Sequence, residues 1–186
     1  MNKNKNILII GGYGFLGQGI LKTFRNKNYQ VSILDKNLEP QKLIQYKLKH
    51  LFKYSTLENE KMDYALNTEN WDYIIHLAAL TNVDECEKNY NKAYDLNCNA
   101  TKYLVEWAEK RNKCRFIYLS TDQVYSKSGF NSEDNPFPIN LYSITKFISE
   151  NIALSLKNSV IIRTNFYGFF SNHDNSLVNW FIENIR

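Results

Sequence analysis

The chain has 186 residues, 44% hydrophobic and 15% aromatic, so it is long enough to bury a substantial core and too apolar for a disordered segment. Its formal charge of +4 comes from 23 basic and 19 acidic residues spread along the sequence, too weak and too dispersed to indicate a nucleic-acid groove, although small anions remain plausible ligands. Cys86, Cys98 and Cys114 are odd in number and fall in no metal-ligand spacing, which indicates reduced thiols of a cytoplasmic protein; the short apolar run after the basic first residues is neither a signal-peptide core nor a membrane span.

Ile7-Leu8-Ile9-Ile10 is an uninterrupted aliphatic run, the mark of a strand buried on both faces, and it ends in Gly11-Gly12-Tyr13-Gly14-Phe15-Leu16-Gly17. A helix is expected next, with Leu16, Ile20, Leu21 and Phe24 on its apolar side, then a strand from Gln30 to Leu34. A weaker helix-and-strand pair is expected over residues 38–56, where the basic stretch from Lys42 to Lys53 reads as a solvated helix face. Trp71 to Leu77 reads as another buried strand. Residues 91–110 carry helical periodicity through Ala93, Leu96, Ala100, Leu104 and Ala108, and Arg115 to Leu119 is the next strand. After a loop with Gly129, Pro136 and Pro138 come a helix holding Tyr142 and Lys146 and a strand from Ser159 to Ile162. Strands alternating with helices predict an α/β domain of Rossmann type, a doubly wound parallel sheet with helices on both faces, over residues 1–186. No repeat, low-complexity tract or linker divides it.

Glycines 11, 14 and 17 follow a strand and open a helix, an arrangement that can bind a dinucleotide. Gly11 would allow the tight turn, Gly14 would let backbone approach a pyrophosphate, and Gly17 would permit close helix-sheet packing, with Phe15 and Leu16 at the positive helix end where the anion would lie. A purely structural turn is the alternative. Asp35, at the end of the second strand, could accept hydrogen bonds from an adenosine ribose and would repel a 2′-phosphate, favouring NAD over NADP; Lys36 beside it could soften that preference. Ala78 and Ala79 are small where backbone would lie against a dinucleotide, or small for helix packing. Thr121 lies at the carboxyl edge of its strand, where a hydroxyl can hold a carbonyl oxygen or simply cap a turn.

Tyr142 and Lys146 are four residues apart and share a helix face. A phenol has a pKa of about 10, and bringing it to about 7 needs roughly 4 kcal/mol. An ammonium at about 5 Å with an effective dielectric of about 20 supplies about 3 kcal/mol of that. The pair is therefore suited to proton transfer coupled to hydride transfer, although an exposed pair on an ordinary helix has the same spacing.

Taken together these residues resemble the extended short-chain dehydrogenase/reductases of the NAD-dependent epimerase/dehydratase superfamily, and within them the dTDP-4-dehydrorhamnose reductase family. The general marks are the three glycines, Ala78-Ala79, Asn97 within Asp95 to Thr101, and Tyr142-x-x-x-Lys146. More specific are Thr81-Asn82-Val83-Asp84-Glu85-Cys86-Glu87 and Leu119-Ser120-Thr121-Asp122-Gln123-Val124-Tyr125, which look like that family's N-V-D-x-C-E and S-T-D-x-V-[FY] signatures. The resemblance implies a catalytic set of Thr121, Tyr142 as proton donor and Lys146, the last also binding the nicotinamide ribose. It implies Asn97 near the cofactor, where a structural cap is an equal reading, and no metal. It further implies reduction of a nucleotide-linked 4-keto-6-deoxysugar by NAD(P)H, in polysaccharide biosynthesis.

Gln123 stands where related 4,6-dehydratases carry a glutamate base, and a carboxamide cannot take a proton from carbon at neutral pH. A 4-epimerase, which uses the same Tyr-Lys chemistry, stays open, as does a dinucleotide-binding regulatory module without turnover. Members of the resembled family continue for roughly another hundred residues with a sugar-nucleotide domain. Residues 176–186, with Trp180 and Phe181, read as an amphipathic helix that such a domain or a second copy of the chain would cover.

Overall fold

The computed structural model describes residues 4–111, 113–127 and 129–166. Six strands form one wholly parallel sheet in the order β3-β2-β1-β4-β5-β6: β1 Lys5–Ile10, β2 Tyr29–Leu34, β3 Leu51–Phe52, β4 Tyr73–His76, β5 Arg115–Thr121 and β6 Ser159–Thr164. The helices between them are α1 Phe15–Phe24, α2 Pro40–Leu43, α3 Asn59–Asn67, α4 Val83–Lys88, α5 Tyr90–Tyr94, α6 Ala100–Glu109 and α7 Leu141–Leu154. Parallel pairing requires crossovers, and crossovers place helices on both faces.

The aliphatic run in β1 is buried on both sides, as its unbroken hydrophobicity predicts. Ile7 and Ile9 pack with Val31 and Ile33 of β2 and Leu21 of α1. Leu8 and Ile10 face the other core, with Ile74, Phe116, Met62 of α3 and Leu104 of α6. Completely burying one such side chain is worth about 1.5–3 kcal/mol, so the central strand anchors two layers at once. The strand order reverses between β1 and β4, and the crevice beyond their carboxyl ends is where such sheets bind ligands.

The helix expected over residues 91–110 is broken. After α5 the chain makes a wider π turn over Asp95–Asn99 before α6 begins. The extra residue brings Asn97 and Cys98 inward together; both are buried, and Cys98 Sγ lies 3.4 Å from the Thr145 carbonyl of α7. Helices α3 and α4 lack any counterpart in the sequence expectation. The first is polar on most of its surface and buries only Met62, Ala65 and Leu66. The second is six residues long and is started by Asn82, whose side chain accepts from the Glu85 amide at 2.8 Å. The weak element after α2 reduces to a 3₁₀ turn over Ile44–Tyr46 and the two-residue strand β3. The helix expected over 176–186 lies outside the described residues.

Helix α7 carries Tyr142 and Lys146, and its start is fixed by a capping box. Asn140 Oδ1 accepts from the Ser143 amide at 2.8 Å, and Ser143 Oγ accepts from the Asn140 amide at 3.2 Å. Asn140→Ala should lower the unfolding free energy by about 1 kcal/mol in urea titrations. Asn151→Ala, on the exposed part of the same helix, should change it by less than about 0.5 kcal/mol.

Candidate active site

The carboxyl ends of the strands open into a cleft of about 860 Å³. Its floor at one end is the turn after β1. Gly11 has φ +81, and a Cβ there would stand 2.6 Å from the Ala78 backbone nitrogen, so glycine is required both by conformation and by contact. At Gly17 a Cβ would meet the Gly12 carbonyl oxygen at 2.5 Å, which fits its expected role in packing α1 against the strand. A Cβ at Gly14 would lie 3.3 Å from the Gly11 carbonyl oxygen, a tight contact but a milder conflict. The packing demand for glycine is therefore weaker at 14 than at 11 and 17, and its bare backbone lines the cleft. Gly14 is also the N-cap of α1 and offers no side chain to the first turn of amides, around Phe15 and Leu16. These features fit the pyrophosphate of a dinucleotide: bare backbone, a helix N-terminus and room beside it.

Asp35 closes this end. Its Oδ2 accepts from the Tyr13 amide at 3.1 Å and its Oδ1 from the Asn37 amide at 3.0 Å, so the carboxylate ties the glycine turn to the end of β2 while still lining the cleft. The Tyr13 hydroxyl donates to Glu39 Oε1 at 2.8 Å. Ala78 and Ala79 form the adjoining wall as β4 runs out.

Thr121, Tyr142 and Lys146 meet on the same cleft, at the end of β5 and on the first turns of α7. Thr121 Oγ1 accepts from the Gln123 amide at 3.2 Å and donates to Asp122 Oδ1 at 3.3 Å. Lys146 is 3% exposed; its Nζ donates to the Leu119 carbonyl at 2.6 Å and stands 4.1 Å from the centre of the Tyr118 ring. The direction of the two titrations differs from the sequence expectation. Burial pushes the Tyr142 phenol up, against the opposing influence of the Thr121 hydroxyl. Burial also pushes the Lys146 ammonium down, to about 7, with Glu150 the main influence in the other direction. The lysine is engaged with a carbonyl and a ring, so its charge is not spent on lowering the phenol. Tyr142 is held in its acid form.

Asn97 does not line the cleft; the wall passes through Leu96 instead. Its amide is committed behind that wall: Oδ1 accepts from the Leu80 amide at 2.7 Å, and Nδ2 donates to the Leu80 carbonyl at 3.2 Å and to Thr145 Oγ1 at 2.9 Å. It joins the strand exit after Ala79 to the helix that holds Tyr142 and Lys146.

Sequence reasoning missed Tyr54, Ser55 and Thr56 beyond β3, Thr164 at the end of β6, and Asn165 and Phe166 beyond it, all of which line the cleft. The Phe166 and Phe15 rings stack with centroids 5.8 Å apart. The signal was topological: each segment follows the carboxyl end of a parallel strand. Gly12 also had no role assigned, yet a Cβ there would collide with the Ile33 side chain at 2.6 Å. Among the described residues there is no cluster of potential metal ligands and no helix long and apolar enough to cross a membrane.

A sequence model described as the NAD dependent epimerase/dehydratase family matches residues 7–186. A dTDP-D-glucose 4,6-dehydratase from Dictyostelium discoideum is 36% identical over 154 residues, which cover 77% of this chain and 35% of that protein. A dTDP-4-dehydrorhamnose reductase from Aggregatibacter actinomycetemcomitans is 29% identical over 174 residues, covering 90% of this chain and 53% of that protein. The structure of a UDP-glucuronic acid 4-epimerase from Bacillus cereus, in complex with UDP-glucuronic acid and NAD, superposes with a TM-score of 0.80 at 25% identity, covering 97% of this chain and 62% of that one. The chain thus spans about half or less of the length of these curated relatives.

Two outcomes follow from the geometry. In Lys146 the folded-state pKa lies below the unfolded value, so the cost of burying the ammonium is complete below about pH 7 and fades as pH rises toward 10.5. Lys146→Met should therefore be more stable than wild type below pH 7, by about 1–4 kcal/mol, with the difference shrinking in alkaline urea titrations. Asn97→Ala should speed hydrogen exchange of the Leu80 amide by about tenfold or more, as expected when a bond of about 1.4 kcal/mol is lost.

Proposed function

The chain belongs to the NAD dependent epimerase/dehydratase family, and from that membership and the geometry of the cleft we propose that it carries the dinucleotide-binding and proton-transfer machinery of a reductase for nucleotide-linked 4-keto-6-deoxysugars. The observation that carries this reading is the meeting of Thr121, Tyr142 and Lys146 on the cleft floored by the glycine turn. The family comparison supports a sugar-nucleotide substrate, since the relatives named above act on dTDP- or UDP-linked sugars.

A bound nicotinamide supplies the hydride. The chain's own residues do the rest. The Thr121 hydroxyl orients the keto oxygen at C4 and stabilises charge developing on it. Tyr142, kept protonated by burial, donates its proton to that oxygen as it becomes an alkoxide. Lys146 holds the nicotinamide ribose and offers its positive charge to the phenolate left behind. The turn at Gly11, Gly14 and Gly17 and the start of α1 bind the pyrophosphate; Asp35 binds the adenosine ribose and disfavours a 2′-phosphate, so NAD is the preferred cofactor. The three cysteines are free and buried, which supports a reducing cytoplasmic setting.

Gln123 favours reduction over dehydration, despite the 36% identity with a dehydratase. It lines the cleft with its amide oxygen near Asn140 Nδ2, at 3.4 Å, and a carboxamide at that point has no basic lone pair with which to remove a proton from C5. A reductase consumes NADH in step with substrate, whereas a 4-epimerase returns the hydride and consumes none. We expect stoichiometric NADH oxidation with dTDP-4-keto-6-deoxysugar, and a rate about 100-fold or more lower for Tyr142→Phe. Equal rates in the two proteins would remove Tyr142 as the donor. The relatives are longer than this chain, so the 186-residue chain by itself should bind dinucleotide and turn over slowly; rapid turnover by the purified chain would contradict this. In fluorescence titrations NADH should bind at least about tenfold more tightly than NADPH, a difference of about 1.4 kcal/mol that Asp35→Ala should narrow.

A further inference from the structure

Helix α7 places three ionisable side chains at four-residue intervals on one buried face: Tyr142, Lys146 and Glu150. The proton-transfer reading uses the first two and leaves Glu150 without a role, although it is 1% exposed. Its carboxylate accepts three hydrogen bonds from Arg163 of β6: Nε reaches Oε1 at 3.0 Å and Oε2 at 3.1 Å, and Nη2 reaches Oε2 at 2.7 Å. The far side of the guanidinium donates from Nη1 to the Tyr125 hydroxyl at 2.6 Å and to the Glu133 carbonyl at 2.8 Å. The arginine is thereby fixed in the loop that follows the Thr121 segment, and the carboxylate is fixed behind Lys146. Stability is a weak reason for such an arrangement, because a buried ion pair can often be replaced by apolar side chains at no cost.

We propose that Glu150 is a positioning residue for proton transfer: its carboxylate, held by Arg163, keeps the buried Lys146 an ammonium aimed at the Leu119 carbonyl. This rests on the reading of Lys146 as a member of the catalytic set, yet the charge relation belongs to the folded chain and is measurable without turnover. The surroundings of Lys146 support it from every side. From β4, His76 is pushed down to about 3 by burial and by Lys146 itself, so it brings no charge of either sign at neutral pH. From β5, Tyr118 is pushed up by burial and contributes only its ring face. Tyr142, on the same helix, is pushed up by burial as well, so at neutral pH it is a phenol. Asp122, at the mouth, acts on Tyr142 and is exposed. Burial lowers the ammonium; Glu150 is the largest influence raising it, and Cys98 of the π turn comes after. Arg163 is the second positive charge behind this face and is paired with Glu150.

The two members of the pair carry opposite charges, so removing them one at a time should move Lys146 in opposite directions, which a merely structural role would not produce. Carbon-13 lysine labelling of the full chain, with the Lys146 signal assigned by its loss in Lys146→Met, gives the titration midpoint directly. Wild type should titrate near 7. Glu150→Gln, which leaves Arg163 unopposed, should move the midpoint down by about one pH unit or more, and Arg163→Met should move it up by a similar amount. The double variant removes both charges without stranding either, and its midpoint should fall below that of Arg163→Met by about one unit; this comparison serves if Glu150→Gln does not fold. Equal midpoints in wild type and Glu150→Gln, shifts of the same sign in both single variants, or equal midpoints in Arg163→Met and the double variant would each overturn the proposal. None of these outcomes depends on which sugar, if any, the protein reduces.

Discussion

The carbonyl oxygen of Ile10 accepts hydrogen bonds from both Leu77 and Ala78, at 2.8 and 3.0 Å, while the next residue, Gly11, donates its amide to Leu34 at 2.8 Å. Three strands are held together at one point, where the chain order of the sheet reverses. Gly11 can pass between them only because it lacks a Cβ and tolerates a positive φ. The cleft lining is placed relative to this junction: the glycine turn rises from it, Asp35 leaves from the neighbouring strand, and Ala78 forms its wall. The parallel sheet makes the junction possible, since all six strands deliver their following loops to one edge.

A second constraint acts on the far side of the cleft, where α7 buries charge. Tyr142, Lys146 and Glu150 all face inward, and each must be compensated locally because the interior solvates ions poorly. The compensation is distributed over the fold: a carbonyl from β5 and a ring from the same strand for the lysine, a guanidinium from β6 for the glutamate, and protonation for the tyrosine, which burial keeps a phenol. The result is a phenol that stays protonated beside an ammonium whose charge is marginal. On the proposed reading, such a pair gives a proton up and stabilises what remains.

Much of this was legible in the chain. The central strand announced itself as an unbroken aliphatic run, and the three glycines carried their position between strand and helix with them. The four-residue spacing of Tyr142 and Lys146 put both on one helix face before any packing was known. The break in the long helix was less accessible, because Ala93, Leu96, Ala100, Leu104 and Ala108 keep apolar periodicity straight through the π turn that aims Asn97 at Leu80. Nor could spacing tell that Asn97 serves the wall from behind. That depends on Thr145 and Leu80, which are distant in sequence and meet only when α7 packs against the strand exit.

The sequence by itself determined most of the strands, their alternation with helices and the identity of the groups that can do chemistry, because periodicity, glycine placement and side-chain type are local properties. Only the tertiary structure decided the direction in which Tyr142 and Lys146 are perturbed. Helical spacing suggested that the ammonium would lower the phenol's pKa, but burial dominates both groups, and the lysine is turned toward a carbonyl. It also decided that Glu150 and Arg163, thirteen residues apart and unremarked in the sequence, meet behind the lysine. Desolvation depends on how much of the chain lies around a group, a quantity set by the whole fold.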